Sequence, residues 1–206
     1  MDAFKSLEAI ACPLPLSGID TDQLIPARFM KRSRADGYGD YLLHDLRFDD
    51  LGQPRPDCPL NAPRWQGARI LVTRRNFGSG SSREAAVYAL VDYGFACVIA
   101  PSFGDIFASN AINNGLLPAT VSEEDCEALL AGLEDGDCIA RVDLEACEIR
   151  AANLVIPFRI DPVWRTKLLN GWDDIDLTLS HAAAIEAFQA KDSIDRPWLV
   201  PRLRKS

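Results

Sequence analysis

Histidine is scarce in this 206-residue chain: only His44 and His181 occur, far apart and with no second His or Cys near either. Protein-bound metals are built from clustered ligands, so no metal is expected on this chain. The six cysteines, at positions 12, 58, 97, 126, 138 and 147, nowhere approach the Cys-x-x-Cys spacing of a zinc or iron-sulfur site. They read as free thiols, and a reducing, cytoplasmic location is expected. No charged-then-apolar segment opens the chain as a secretion signal, and no apolar run is long enough to cross a bilayer. Basic residues are outnumbered, 22 Lys and Arg against 30 Asp and Glu, giving a formal charge of -8. Such a balance argues against nucleic acid, because phosphate backbones are held by clusters of Lys and Arg. With 48% hydrophobic and 25% charged residues, the composition is that of an ordinary globular protein able to bury one large core. A single domain over 1–206 is expected.

What the sequence does contain is a strand-helix-strand-helix pattern at its centre. Ala68 to Thr73 reads as a buried strand, Asn76 to Gly80 as a loop, and Ser81 to Val91 as a helix that Gly94 stops. Ser81 is expected to cap that helix, with Glu84 reaching back in a capping box. Phe95 to Ala100 reads as a second strand, and Asp105 to Asn114 as a second helix closed by Gly115. Strands joined by helices pair in parallel, so an α/β fold with a partly parallel sheet is expected. Further on, Ser122 opens a helix that Gly132 should close, and small antiparallel strands follow near 139–142 and 147–150. Pro162 to Asn170 reads as a helix stopped by Gly171, and Ser180 as the cap of a last helix. The segment 33–63 is expected to be a long, mobile loop, and 192–206 a polar tail.

The loop before the first of these helices carries the chemistry. Gly78-x-Gly80-x-x-Arg83 follows a strand and opens a helix, but Arg stands where a dinucleotide fingerprint wants Gly or Ala, and no Gly-Lys-Ser/Thr completes a phosphate loop. What remains is a helix amino end with two hydroxyls, Ser81 and Ser82, and the Arg83 guanidinium, a set suited to a small carboxylate. The alternative is a plain cap and a solvated arginine. Asp20 and Asp22 are either a carboxylate pair or, beside Gly18, turn formers.

The run Asn76-Phe77-Gly78 followed by Gly80-Ser81-Ser82-Arg83-Glu84 resembles the swivelling domain of the aconitase superfamily. Four further segments, 20–26, 100–107, 113–118 and 168–175, extend the likeness along nearly the whole chain to the small-subunit family of 3-isopropylmalate dehydratases. That resemblance implies a β/β/α three-layer core and a large partner subunit holding a [4Fe-4S] cluster, with none on this chain. It implies an enzyme, a hydro-lyase isomerising 2-isopropylmalate and 3-isopropylmalate in leucine biosynthesis. Ser81 then matches the serine that removes the substrate proton, while Ser82 and Arg83 match the residues that hold a substrate carboxylate. Among the basic residues Arg28, Lys31, Arg32 and Arg34, Arg32 is the candidate for a second carboxylate contact, the alternative being a solvated charged loop. Phe29 and Met30, beside it, are candidates for the apolar wall that selects the substrate side chain, the alternative being core packing. Ser79 stands where the family usually has Cys, and Ala85 where it has His. These departures leave open a small subunit for another hydroxy-diacid, such as homoaconitate or citraconate, or a non-catalytic carboxylate-binding module.

Overall fold

The computed structural model describes residues 1–136 and 138–199. Its strands are β1 (Ser6–Leu14), β2 (Ile70–Thr73), β3 (Cys97–Ala100), β4 (Leu117–Thr120), β5 (Ile139–Asp143), β6 (Glu148–Ala151) and β7 (Leu154–Pro157), in one sheet of order β4-β3-β2-β1-β5-β6-β7. The helices are α1 (Thr21–Leu24), α2 (His44–Arg47), α3 (Glu84–Tyr93), α4 (Asp105–Asn113), α5 (Glu123–Asp135), α6 (Pro162–Asn170), α7 (Asp174–Leu179) and α8 (Ala182–Asp195).

The sheet has a parallel half and an antiparallel half that meet on β1. Residues Ala11 to Leu14 pair in parallel with Ile70 to Thr73, and Ser6 to Ile10 pair antiparallel with β5. Burial follows the division. All four residues of β2 and all four of β3 are buried, as in strands covered on both faces, whereas β5 and β6 alternate buried and exposed. Pro13 lies beyond the stretch of β1 that pairs with β5, so its missing N–H forfeits no bond on that side. Helix α5 packs on β1, β2, β3 and also β6, so the sheet curls for one helix to touch both halves. The fold is thus α/β, with the partly parallel sheet and small antiparallel strands expected.

Local signals misplaced several boundaries. Helix α3 starts at Glu84 with Arg83 at its cap position, and no side chain caps it, so the expected Ser81–Glu84 capping box does not form. Helix α5 runs through Gly132 to Asp135, because the buried contacts of Leu129, Leu130 and Leu133 outweigh the cost of about 1 kcal/mol of one interior glycine. Ser180 ends α7, donating to the Leu177 carbonyl at 2.6 Å, and does not open the last helix; His181 holds the cap position of α8. The segment 33–63 contains α2 and several single 3-10 turns, and it anchors through Leu42 and Leu43, both fully buried. Of the expected tail, 192–195 belong to α8 and Pro197–Leu199 form a turn; 200–206 lie outside the described residues. Lys167, 3% exposed, ties α6 to its neighbours by donating to Asn113 of α4 at 2.6 Å and Asp174 of α7 at 2.7 Å.

Candidate active site

The loops leaving the carboxyl ends of β1, β2 and β3 are stitched together, at the edge where open parallel sheets place their ligands. Between the first two, the Gly78 amide donates to the Ile19 carbonyl at 2.7 Å and the Thr21 amide to the Ser79 carbonyl at 2.9 Å. Between the second and third, Phe77 donates to the Ser102 carbonyl at 3.0 Å and Gly104 to the Phe77 carbonyl at 2.9 Å. Phe77 itself is fully buried, edge-on to Phe107 at 5.3 Å. Gly78 lies at φ +70°, and a Cβ there would stand 2.2 Å from the Phe107 ring. The ring therefore packs directly on the backbone of the loop, which only glycine permits.

Gly80, at φ +101°, turns the chain outward so that Ser81 and Ser82 are exposed. The buried Thr21 hydroxyl donates to the Ser81 carbonyl at 3.1 Å, holding the residue by its backbone. Among the described residues the Ser81 hydroxyl makes no hydrogen bond, and the amides of Gly80, Ser81, Ser82 and Arg83 donate none. Arg83 pairs with Asp22 through Nη1 alone, leaving Nε and Nη2 without an acceptor among the described residues. Asp20 is a cap: its carboxylate accepts from the Gln23 amide at 2.7 Å, and the Gln23 side chain accepts from Asp20 at 3.0 Å. The two aspartates therefore form no carboxylate pair; one shapes α1 and the other steadies Arg83. Together these groups make an outward set of hydrogen-bond donors around the free Ser81 and Ser82 hydroxyls, at the positive end of a ten-residue helix.

The basic segment sorts itself by pairing. Arg28 is held by Asp45, whose carboxyl it pulls down to about 2, and Arg34 grips Asp92 with contacts of 2.8 and 3.2 Å. Among the described residues Arg32 has no carboxylate partner; its Nη1 donates to the Tyr41 hydroxyl at 2.8 Å. Lys31 is exposed. The Arg32 charge is therefore not offset by a described carboxylate, as those of Arg28 and Arg34 are. Phe29 and Met30 part company. Phe29 is half-buried, stacked on Tyr41 at 4.3 Å and packed against the core, while Met30 is 37% exposed. We expect Phe29→Ala to lower the thermal midpoint by several degrees and Met30→Ala to leave it unchanged, as thermal melts of the two variants will show.

No three His, Cys, Asp or Glu side chains come together to hold a metal among the described residues. Four of the six thiols are buried, and burial pushes Cys12 and Cys126 up to about 12, far from the thiolate a cluster needs. The residues of this chain therefore do not fit an iron-sulfur group. No helix among the described residues is long and apolar enough to cross a membrane.

Known proteins match this chain along nearly all of its length. The aconitase C-terminal domain family matches residues 1–124, and the C-terminal domain of the 3-isopropylmalate dehydratase small subunit matches 174–202, the stretch that holds α7 and α8. Two curated relatives are named 3-isopropylmalate dehydratase small subunit. That of Rhodospirillum centenum is 46% identical over 96% of this chain and 98% of its own length. That of Parvibaculum lavamentivorans is 46% identical over 97% and 100%. A crystal structure of 3-isopropylmalate dehydratase from Methanocaldococcus jannaschii superposes with a TM-score of 0.61 at 27% identity, covering 91% of this chain and 99% of that one. With relatives of this identity matched from end to end, the chain belongs to the family of 3-isopropylmalate dehydratase small subunits.

Proposed function

We propose that this chain is the small subunit of a cytoplasmic hydro-lyase that interconverts 2-isopropylmalate and 3-isopropylmalate by loss and return of water, a step of leucine biosynthesis. The observation that carries the reading is the Gly80–Arg83 loop, with its free serine hydroxyl among unpaired amides at a helix amino end. In this reading Ser81, as alkoxide, takes the proton from the substrate carbon, the electron pair left behind forms the carbon-carbon double bond, and hydroxide leaves. Return of water with the opposite regiochemistry gives the isomer. Arg83 offers Nε and Nη2 to one substrate carboxylate while Asp22 holds Nη1, and Ser82 adds a hydroxyl to the same group. Arg32 is the contact for the second carboxylate, and Phe29 and Met30 supply apolar surface for the side chain.

A serine hydroxyl is a very weak acid, and its alkoxide is useful only near positive charge and away from water. Ser81 and Ser82 are exposed, so the dry half of the site must come from a second protein. We assign that role to a large subunit, which also holds the [4Fe-4S] cluster; no step on this chain's residues runs through it.

The test is reconstitution. The isolated chain is expected to be colourless and inactive, and to hydrate and dehydrate isopropylmalates once combined with a cluster-loaded large subunit. Stoichiometric iron and sulfide in the isolated chain, or a reconstituted pair that prefers homoaconitate or citraconate to isopropylmalate, would overturn it.

A further inference from the structure

We propose that Tyr41 is a positioning residue that holds the Arg32 guanidinium and the Phe29 ring in one fixed arrangement, so that charge and apolar surface meet the substrate at a set spacing. The inference rests on the assignment of Arg32 and Phe29 to the substrate given above and adds a residue to it. Tyr41 closes a 3-10 turn, Tyr38–Tyr41, and is followed directly by Leu42 and Leu43, both fully buried. The Leu43 amide donates to the Leu24 carbonyl at 3.0 Å, which ties the turn to the end of α1, the helix that grips the Ser81 loop. The base of Tyr41 is therefore immobilised by the core, and its side chain reaches back over the basic segment. Its ring lies against Phe29 with centroids 4.3 Å apart and planes 11° from parallel. Its hydroxyl accepts from Arg32 at 2.8 Å, and the guanidinium carbon lies 5.3 Å from the ring centroid. Tyr38 holds the same residue from its backbone, donating from its hydroxyl to the Arg32 carbonyl at 2.9 Å.

The chemistry of the tether matters as much as its place. Arg28 and Arg34 are held by carboxylates, which cancel their charge. A phenol is a neutral acceptor. It uses one of the five guanidinium donors and leaves the charge and the other donors for a ligand. An arginine on a turn without such a hold samples many rotamers and loses that freedom on binding, which weakens the complex. The stack, in turn, holds the Phe29 ring against that of Tyr41.

The experiment uses the reconstituted two-subunit enzyme and compares Tyr41→Phe, Tyr41→Leu, Arg32→Ala and the Tyr41→Phe/Arg32→Ala double variant. Tyr41→Phe keeps the stack and loses the tether. It should raise KM for isopropylmalate by roughly tenfold with kcat within about twofold, and leave the preference over a methyl-substituted analogue unchanged. Tyr41→Leu should raise KM similarly and also lower that preference. In the Arg32→Ala background, Tyr41→Phe should change KM no further. A merely structural role would lower the thermal midpoint and reduce kcat equally in both backgrounds, and that result would sink the proposal. So would an unchanged KM for Tyr41→Phe where Arg32→Ala raises it, which leaves the substrate contact standing. An unchanged KM for Arg32→Ala removes the contact and the tether together.

Discussion

Ser81→Ala is expected to lower kcat of the reconstituted enzyme by roughly 100- to 10,000-fold, the usual contribution of a general base, while KM changes little. The alanine keeps the backbone that Thr21 holds through the Ser81 carbonyl, so the loop retains its shape. Because α3 begins at Glu84 and needs no cap from Ser81, the variant loses no helix stability, and its thermal midpoint should match that of the parent. That combination separates chemistry from folding, since removing a capping serine would cost about 1 kcal/mol. Arg83→Lys in the same assay should instead raise KM, because an ammonium cannot pair with Asp22 and present a planar fork to a carboxylate at once. Steady-state kinetics and thermal melts of the two variants decide the matter. Near-normal turnover for Ser81→Ala would remove the residue from the reaction.

Gly78→Ala is expected to be the most damaging single methyl group in the site. The new Cβ would stand 2.2 Å from the Phe107 ring, and the residue lies at φ +70°, where a side chain is strained whatever the space. The left-handed backbone costs about 1–2 kcal/mol and overpacking about 1–3 kcal/mol more, which for a chain of this size lowers the midpoint by roughly 5–15 °C. The loop is also displaced, because Gly78 carries the bond to Ile19 and its carbonyl touches Gly104, so activity should fall in whatever fraction remains folded. Differential scanning calorimetry of Gly78→Ala, Phe107→Ala and the double variant tests the cause. If the ring is what the methyl strikes, the double variant is less destabilised than the two single changes predict together. Simple additivity would place the cost in the backbone alone.

The helical and strand periodicities at 68–114, 122–150 and 162–170 were legible because their signals lie within a few residues of each other. Buried strands read as apolar runs, and Gly94, Gly115 and Gly171 close turns that their neighbours have already wound. Strand β1 went unread for a physical reason. It alternates along its antiparallel half and is continuously buried along its parallel half, so neither period runs its length. Helix α7 escaped notice because none of its residues is buried and no apolar stripe marks it. The serine cap failed in the opposite way. Ser81-x-x-Glu84 is a valid helix signal, but the turn at Gly80 and the Thr21 hydrogen bond, from sixty positions upstream, hold Ser81 outside the helix.

Local sequence pattern alone specifies an acidic α/β protein with a serine and an arginine at a strand-to-helix loop. Which of those groups are left unpaired depends on contacts between distant parts of the chain. Arg28 and Arg34 are neutralised by Asp45 and Asp92, seventeen and fifty-eight residues away, while Arg32 meets a phenol and Arg83 shares one nitrogen with Asp22. A side chain's charge is set by its own chemistry, but whether that charge is spent depends on which partner the folded chain brings within about 3 Å, and no local pattern records that distance.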